Sequence, residues 1–574
     1  MEGETGMTNA KKVYGIDLGT TYSCISIMDE HDKAVVLKNA DGELITPSVV
    51  YFEEDGSGQV NIDVGISAKS YAEMYPNDVV TYIKRQMGTD YVFEHKGQVY
   101  RAEEISALIL KKLVKDAEMA TGEKVEDVVI TVPAYFGVNE RKATQKAGEI
   151  AGLNVLDLIN EPTAAALSYG ITKESDKKIL VYDLGGGTFD VTLIDVSSKA
   201  LEVIVTGGDH NLGGKNWDDA IVEYLVEQYK EQTGNYSEDI LMNPETAQVL
   251  QLEAEKAKKT LSSPKRFKAP ISFTHNIDRV RVELTREKFD EITSHLLERT
   301  IELTKLMLED AKLKGFGKDQ FDEIILVGGS TRMLQIKERL IEEFNMEPIV
   351  FDPDEAVAKG AALYGMQKSV QEWVSNKIGD RVGSGAPAGS QILDVMPTLS
   401  PAEKEEIMQE AAEYFRLSPE RVEIMANQTI QNVTSKSFGV VAHVLESGID
   451  VERVVNLIKK NDTLPCHFSQ TFGTFEANQV NAKIQVMENE MLDDVLDKDY
   501  AMVIGDAILE LPFGLPENSP IEVTYNLNED GTLEVTAVEA TEKGEVRVTV
   551  KTDSVINEEE KENAILKIQD FVIN

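Results

Sequence analysis

The sequence predicts a multidomain chain: an α/β body in two similar lobes, then a β-sandwich, with a small helical insert between them and one closing helix. Three observations carry this reading. A strand running into Asp-Leu-Gly and a hydroxyl occurs twice, at 13–21 and at 181–190. Strands and amphipathic helices alternate from 13 to 367, the pattern of α/β layers. From Val433 onward the apolar period falls to two, the pattern of half-buried strands.

In the first lobe the strand at 13–17 and its partner at 23–28 frame the first hairpin. Ile105, Leu108, Ile109 and Leu113 recur at helical spacing and predict an amphipathic helix. The β-branched run 128–132 stopped by Pro133 predicts a buried strand, followed by a helix over about 140–151. The second lobe starts again at Ile179. Trp217, Ile221, Leu225 and Tyr229 mark one helix and 251–261 another, while 324–327 is a strand followed by a helix carrying Ile336, Leu340 and Phe344. Residues 379–390, rich in Gly, Ser, Ala and Pro, read as a flexible linker. Ser400-Pro401-Ala402-Glu403 is a capping box with Pro at the first helical position, and Ser418-Pro419 opens a second short helix. Alternation at 482–486, 521–527, 533–537 and 546–550 predicts the sandwich, with Gly531 turning a hairpin. A last helix starts near Asn557 and turns Ala564, Ile565, Ile568 and Val572 inward. The expected domains are therefore 13–367, a linker 368–397, an insert 398–426, a sandwich 427–553 and a closing helix 554–574, in keeping with about 150 residues per domain.

The hairpins carry the chemistry. Three successive glycines, Gly185, Gly186 and Gly187, let backbone N–H groups approach an anion with no Cβ in the way. The acids on either side, Asp183 and Asp190, would repel a bare phosphate, so a divalent cation must stand between. Two such hairpins imply two lobes facing one another across a Mg-nucleotide. A structural Gly-rich turn is the bland alternative for either hairpin alone. The formal net charge of −42 argues against general nucleic-acid or anionic-membrane binding. Cys24 and Cys466 form neither a disulfide framework nor a metal-spacing pattern. With no apolar run near the ~20 residues that span a bilayer, and a polar start, a cytoplasmic location is expected.

Together the motifs resemble the seventy-kilodalton heat-shock protein (DnaK-like) chaperones over 13–367 and 437–553. The matching stretches are Gly-Ile-Asp-Leu-Gly-Thr-Thr at 15–21, Ile-Lys-Arg at 83–85 and Asn-Glu-Pro-Thr-Ala-Ala-Ala at 160–166. Tyr-Asp-Leu-Gly-Gly-Gly-Thr-Phe-Asp at 182–190, Val-Gly-Gly-Ser-Thr-Arg at 327–332 and Asp-Pro-Asp-Glu-Ala-Val-Ala at 352–358 complete the set. The resemblance implies an actin-like two-lobed ATPase domain, a peptide-binding sandwich and a helical lid, here truncated to one helix. It implies ATP/ADP and Mg2+, with K+ as a second cation, and extended or unfolded polypeptides as ligands. A J-domain co-chaperone and a GrpE-like nucleotide exchange factor are its implied partners.

By the same resemblance Thr20, Thr21, Gly185, Gly186, Gly187 and Thr188 hold phosphates, Gly19, Gly213 and Gly214 belong to the nucleotide site, and Asp17, Glu161 and Asp183 hold Mg2+. Lys84 orients the attacking water, with Thr188 and Asp190 beside it. Glu255, Lys258, Ser262, Gly328, Gly329, Ser330, Arg332 and Asp354 form the nucleoside pocket, although Lys259 stands where many relatives carry a stacking arginine. Val440, Phe472, Phe475, Ala482 and Ile484 line the peptide groove, Ala482 widening it. Pro133 and Arg141 match the family's proline switch and relay arginine. Residues 393–395 and 430–433 both look like its apolar linker. Each has a bland counterpart: Lys84 as an ion-paired lysine, Glu161-Pro162 as a strand-to-helix turn, Lys258 and Ser262 as a solvated helix face, the sandwich residues as core. An ATP-driven chaperone is the leading expectation; the rival is a nucleotide-binding scaffold or exchange partner for another chaperone.

Overall fold

The computed structural model describes residues 11–54, 60–170, 176–197, 199–317, 321–382, 400–446, 449–539, 545–548, 555–569 and 571–574. Its first two lobes repeat one plan. In each, the strand entering a hairpin (Val13–Asp17, Lys177–Leu184) pairs antiparallel with the strand leaving it (Tyr22–Met28, Phe189–Val196). On its other side it pairs parallel with a later strand, Asp127–Val132 or Glu323–Val327. The run 128–132 is buried on both faces, as a parallel strand between covering layers must be. The helix Ala356–Val382 packs on the first sheet, where an added Cβ on Gly15 would lie 2.2 Å from the Ala362 nitrogen, so only glycine allows the approach.

Several boundaries differ from expectation. The Ala356–Val382 helix continues well past 367, so 368–382 is helix and not linker, because Val370, Val374 and Ile378 give it an apolar face to bury. The capped helices Pro401–Phe415 and Pro419–Asn427 cover that face with Ile407, Ala411, Phe415 and Val422, making a three-helix satellite core. The Ser400 capping box forms as expected: Glu403 N–H donates to Ser400 Oγ at 3.4 Å, and Ser400 N–H donates to Glu403 Oε2 at 2.8 Å. Residues 393–395, most of 379–390 and Val550 lie outside the described residues.

The sandwich is two sheets, one of five strands built around Ser437–Glu446 and Asn481–Asn489, the other of four, Cys466–Gly473, Pro520–Leu527, Leu533–Glu539 and Glu545–Val548. Gly531 turns the expected hairpin at φ 83°. The short strand Thr429–Gln431 runs parallel to Ala200–Asp209 and extends the second lobe's sheet, so of the two linker-like segments 430–433 is docked on that lobe.

The closing segment corrects two expectations. Helix Glu558–Gln569 packs on the first lobe, against helices Ala102–Thr121 and Val138–Ile150, rather than over the sandwich. Val572 does not continue the helix face. It joins Val572–Ile573, a strand added parallel to Val60–Val64, which leaves Val572 half exposed and buries Ile573. Val555, Ile556, Ala564, Ile568 and Ile573 all enter the first lobe's core.

Candidate functional site

A cavity of about 880 Å³ opens between the two lobes, and both hairpins line it. They meet across it. A Cβ on Gly186 would fall 2.3 Å from Thr21 Oγ1, and one on Gly187 2.4 Å from Thr20 Cγ2, so glycine is required for this approach. Gly213 and Gly214 back the second hairpin from outside the cavity: Gly214 N–H donates to Gly185 O at 3.0 Å. Gly328 holds a left-handed φ of 82° beside Asp183.

Asp17, Glu161 and Asp183 line the floor with Lys84. Lys84 Nζ donates to Glu161 Oε1 at 2.5 Å, both side chains being buried, so Lys84 is neither solvated nor far from the acids. Glu161 opens helix Glu161–Gly170 directly from strand Asn154–Asn160, and the strand-to-helix turn is what aims it. Burial, then the Glu161 charge, pushes Asp17 up to about 7; the same two causes bring Asp190 to about 7. Asp183 is raised well above the ordinary aspartate value by burial and by the charges of Glu161, Asp190 and Asp17. Burial works against charge on Lys84, but Glu161 and Asp17 outweigh it and hold its pKa above the usual lysine value. Four acids, three of them buried, against one lysine leave the site short of positive charge, which fits a divalent cation. Among the described residues no three His, Cys, Asp or Glu side chains converge as direct metal ligands. Thr188 lines the cavity; Asp190 lies behind it and accepts the Tyr135 N–H at 3.0 Å.

At the nucleoside end, Glu255 accepts from Lys69 of the first lobe at 2.5 Å and pairs with Lys259 at 2.7 Å. Burial works to raise Glu255, yet the two lysines pull it down to about 2. Lys259 lies 4.9 Å from the centre of the Tyr22 ring, so its charge is used on Tyr22 and Glu255. Lys258 pairs with Asp218 at 2.7 Å, and Ser262 caps its helix by donating to Lys258 O. Ser330 Oγ donates to Gly185 O at 2.8 Å, and Arg332 pairs with Asp354 at 2.5 Å beside Gly329.

The sandwich residues are less gathered. Val440 and Ile484 are buried in its core, Phe472 and Ala482 pack partly buried against that core, and Phe475 is exposed with its ring 4.5 Å from that of His443. Sequence reasoning missed Val480 and Phe513, the latter 93% exposed, and Leu511 N–H donates to Val480 O nearby. Pro512-Phe513-Gly514, an aromatic inside a turn, was the available signal. It also missed Lys69, Tyr82 and Arg85 in the cleft. Arg85 donates to Gly187 O, and its place in the Ile-Lys-Arg stretch at 83–85 was the hint.

Contacts join the two halves. Arg141 donates to Phe136 O and to Asn160 Oδ1, and Gly531 of the sandwich hairpin rests on its side chain. Thr163 donates to Asn432 at 3.1 Å. Among the described residues no helix is long and apolar enough to cross a membrane.

A family model described as Hsp70 protein matches residues 13–95, 92–378 and 425–572. The unmatched stretch between the last two segments contains the first capped helix of the insert and the start of the second. With nearly the whole chain covered, site geometry and sequence agree: the chain belongs to the Hsp70 family.

Proposed function

We propose that the chain is an ATP-hydrolysing chaperone that binds and releases extended apolar polypeptide segments under nucleotide control. The observation that supports it most is the single cavity in which both glycine hairpins, Asp17, Glu161, Asp183 and Lys84 face one another. ATP would lie with its phosphates between the hairpins, taking N–H and hydroxyl donors from Thr20, Thr21 and 185–188. Its nucleoside would lie among Glu255, Lys258, Ser262, Ser330 and Arg332. Asp17, Glu161 and Asp183 would hold Mg2+ through its waters, and the ion would offset phosphate charge; Thr188 and Asp190 would hold K+. Lys84 would orient the attacking water and stabilise charge at the γ-phosphate, since positioning and electrostatics do most of the work in phosphoryl transfer.

The proposed peptide end is the rim of the sandwich, where Phe475, Val480 and Phe513 expose apolar surface over the core that Val440, Phe472, Ala482 and Ile484 help to build. Information would pass between the ends through Arg141, which touches both the sandwich hairpin and Asn160, the neighbour of Glu161. A J-domain partner and a GrpE-like exchange factor belong to this reading. The family match does not favour the rival scaffold role.

The test is ATP turnover of the full chain, with and without an apolar peptide. Lys84→Ala and Thr188→Ala should each lower kcat at least tenfold, the scale of losing one transition-state contact. Negligible wild-type turnover, or turnover indifferent to both substitutions, overturns the enzyme reading.

A further inference from the structure

The turn that presents Lys84 is built under constraint. Tyr82 stands immediately before the short helix Ile83–Gln86 with φ 57° and ψ 27°, in the left-handed region. A bulky side chain enters that region only where its surroundings compel it, and such residues gather at working sites.

Here the surroundings come from the opposite lobe. The Lys215 ammonium, held by Asp219 at 2.6 Å, lies 5.5 Å from the centre of the Tyr82 ring. Gln251, on helix Pro244–Leu261, lines the same cleft as Tyr82. Three residues on, Arg85 donates through Nε and Nη2 to Gly187 O at 3.0 and 2.7 Å, and to Asn216 Oδ1 at 2.8 Å. Lys84 lies between these two anchors, yet its own ammonium turns back to Glu161 in the first lobe. Both ends of the turn are therefore gripped by the second lobe while the lysine serves the cleft between the lobes.

We propose that Tyr82 is a positioning residue for Lys84: its ring, met by Lys215 when the lobes close, fixes with Arg85 the turn that sets the lysine. This rests on the ATPase reading above. It makes lobe closure a condition for placing Lys84, so an open cleft would hold nucleotide without hydrolysing it. The Lys215–ring contact and the Arg85 hydrogen bonds to Gly187 O and Asn216 are suited to the task, since both depend on the lobes being together.

The experiment compares steady-state ATP turnover with ADP affinity in the full chain for Tyr82→Ala, Tyr82→Phe, Tyr82→Gly and Lys84→Ala. Tyr82→Ala should lower kcat about tenfold, as a misplaced catalytic group does, with ADP affinity within about threefold of wild type. Tyr82→Phe should recover most of the rate, because the ring still meets Lys215. Tyr82→Gly should stay slow although glycine adopts this φ freely, because the ring is gone. Full turnover in Tyr82→Ala or in Tyr82→Gly overturns the proposal, the second by showing that the backbone alone matters. An equal loss of kcat and ADP affinity also overturns it, marking Tyr82 as a wall of the pocket. Wild-type turnover in Lys84→Ala sinks the ATPase reading and this proposal with it. A silent Lys84→Ala beside a fully active Tyr82→Ala sinks this proposal alone.

Discussion

Glu255 shows how one carboxylate can hold two lobes. It is largely buried, accepts from Lys69 across the cleft and pairs with Lys259 on its own helix, and the two cations keep it ionised far below the ordinary range. Lys69 and Glu255 are both mostly buried, so solvent screens that pair less than a surface pair, whereas Lys259 is half exposed. Lys69→Met removes the strut from the first lobe's side and leaves the Glu255–Lys259 pair in place. Nucleotide should then leave several-fold faster while kcat at saturating ATP changes little. A stopped-flow chase with a fluorescent nucleotide measures this, and an unchanged off-rate shows that the cleft is closed by other contacts, Arg85 on Gly187 first among them. Glu255 could be proposed from its family motif, but its partner could not. Lys69 sits on the short helix Ile66–Tyr71, and nothing local to that helix says that a carboxylate from a distant helix will reach it.

At the scale of elements, what is encoded locally was legible. The Ser400 and Ser418 caps, the β-branched run before Pro133 and the alternation of the sandwich strands each carry their signal within a few neighbours. The helix Arg286–Leu313 and the hairpin of Lys268–His275 with Asp278–Thr285 were not read, although the hairpin alternates buried and exposed along both strands. The closing segment was misread for a different reason. Its helix face was visible in Ala564 and Ile568, but the strand Val572–Ile573 exists only because Val60–Val64 offers an edge to pair with. Edge addition is decided by the assembled sheet, and a two-residue strand has no period to detect. The docking is strong: Lys561 pairs with Glu149 at 2.8 Å, Lys111 donates to Ile568 O at 3.0 Å, and Ile568 is completely buried in the first lobe's core. Ile568→Ala should cost about 2–5 kcal/mol of that docking, the range for a buried large-to-small change. Hydrogen exchange of the amides in 558–569 should accelerate about 30-fold or more, with the sandwich strands unaffected. Unchanged protection there means that the ion pairs and the terminal strand suffice.

In the whole molecule the sandwich is held against the first two lobes at both ends. Before it, Thr429–Gln431 extends the second lobe's sheet; after it, Glu558–Gln569 and Val572–Ile573 are built into the first lobe. Between these tethers its surface meets the loop and helix that follow Pro133. Lys436 lies 3.8 Å from the centre of the Tyr135 ring, and Glu488 is buried against Gly137, accepting the Val138 N–H at 3.4 Å. That seam is sensitive to protons. Burial, then the nearby Glu140 charge and that of Glu490, outweighs Lys436 and pushes Glu488 up to about 7, against an ordinary glutamate value of 4.5. A carboxyl whose pKa is higher in the docked form binds its proton more tightly there, so its favourable contribution is complete below about 4.5. It declines as pH rises from about 4.5 to about 7 and is gone above that, with a slope of up to about 1.4 kcal/mol per pH unit. Docking should therefore loosen between about pH 4.5 and 7 in the wild type. Glu488→Gln, which stays neutral throughout, should remove that dependence and stay docked at pH 7.5. Energy transfer between a dye in the sandwich and one in the second lobe, followed across this range, reads the outcome. A wild-type signal that is flat with pH, or a slope that survives in Glu488→Gln, places the proton-sensitive group elsewhere in the seam.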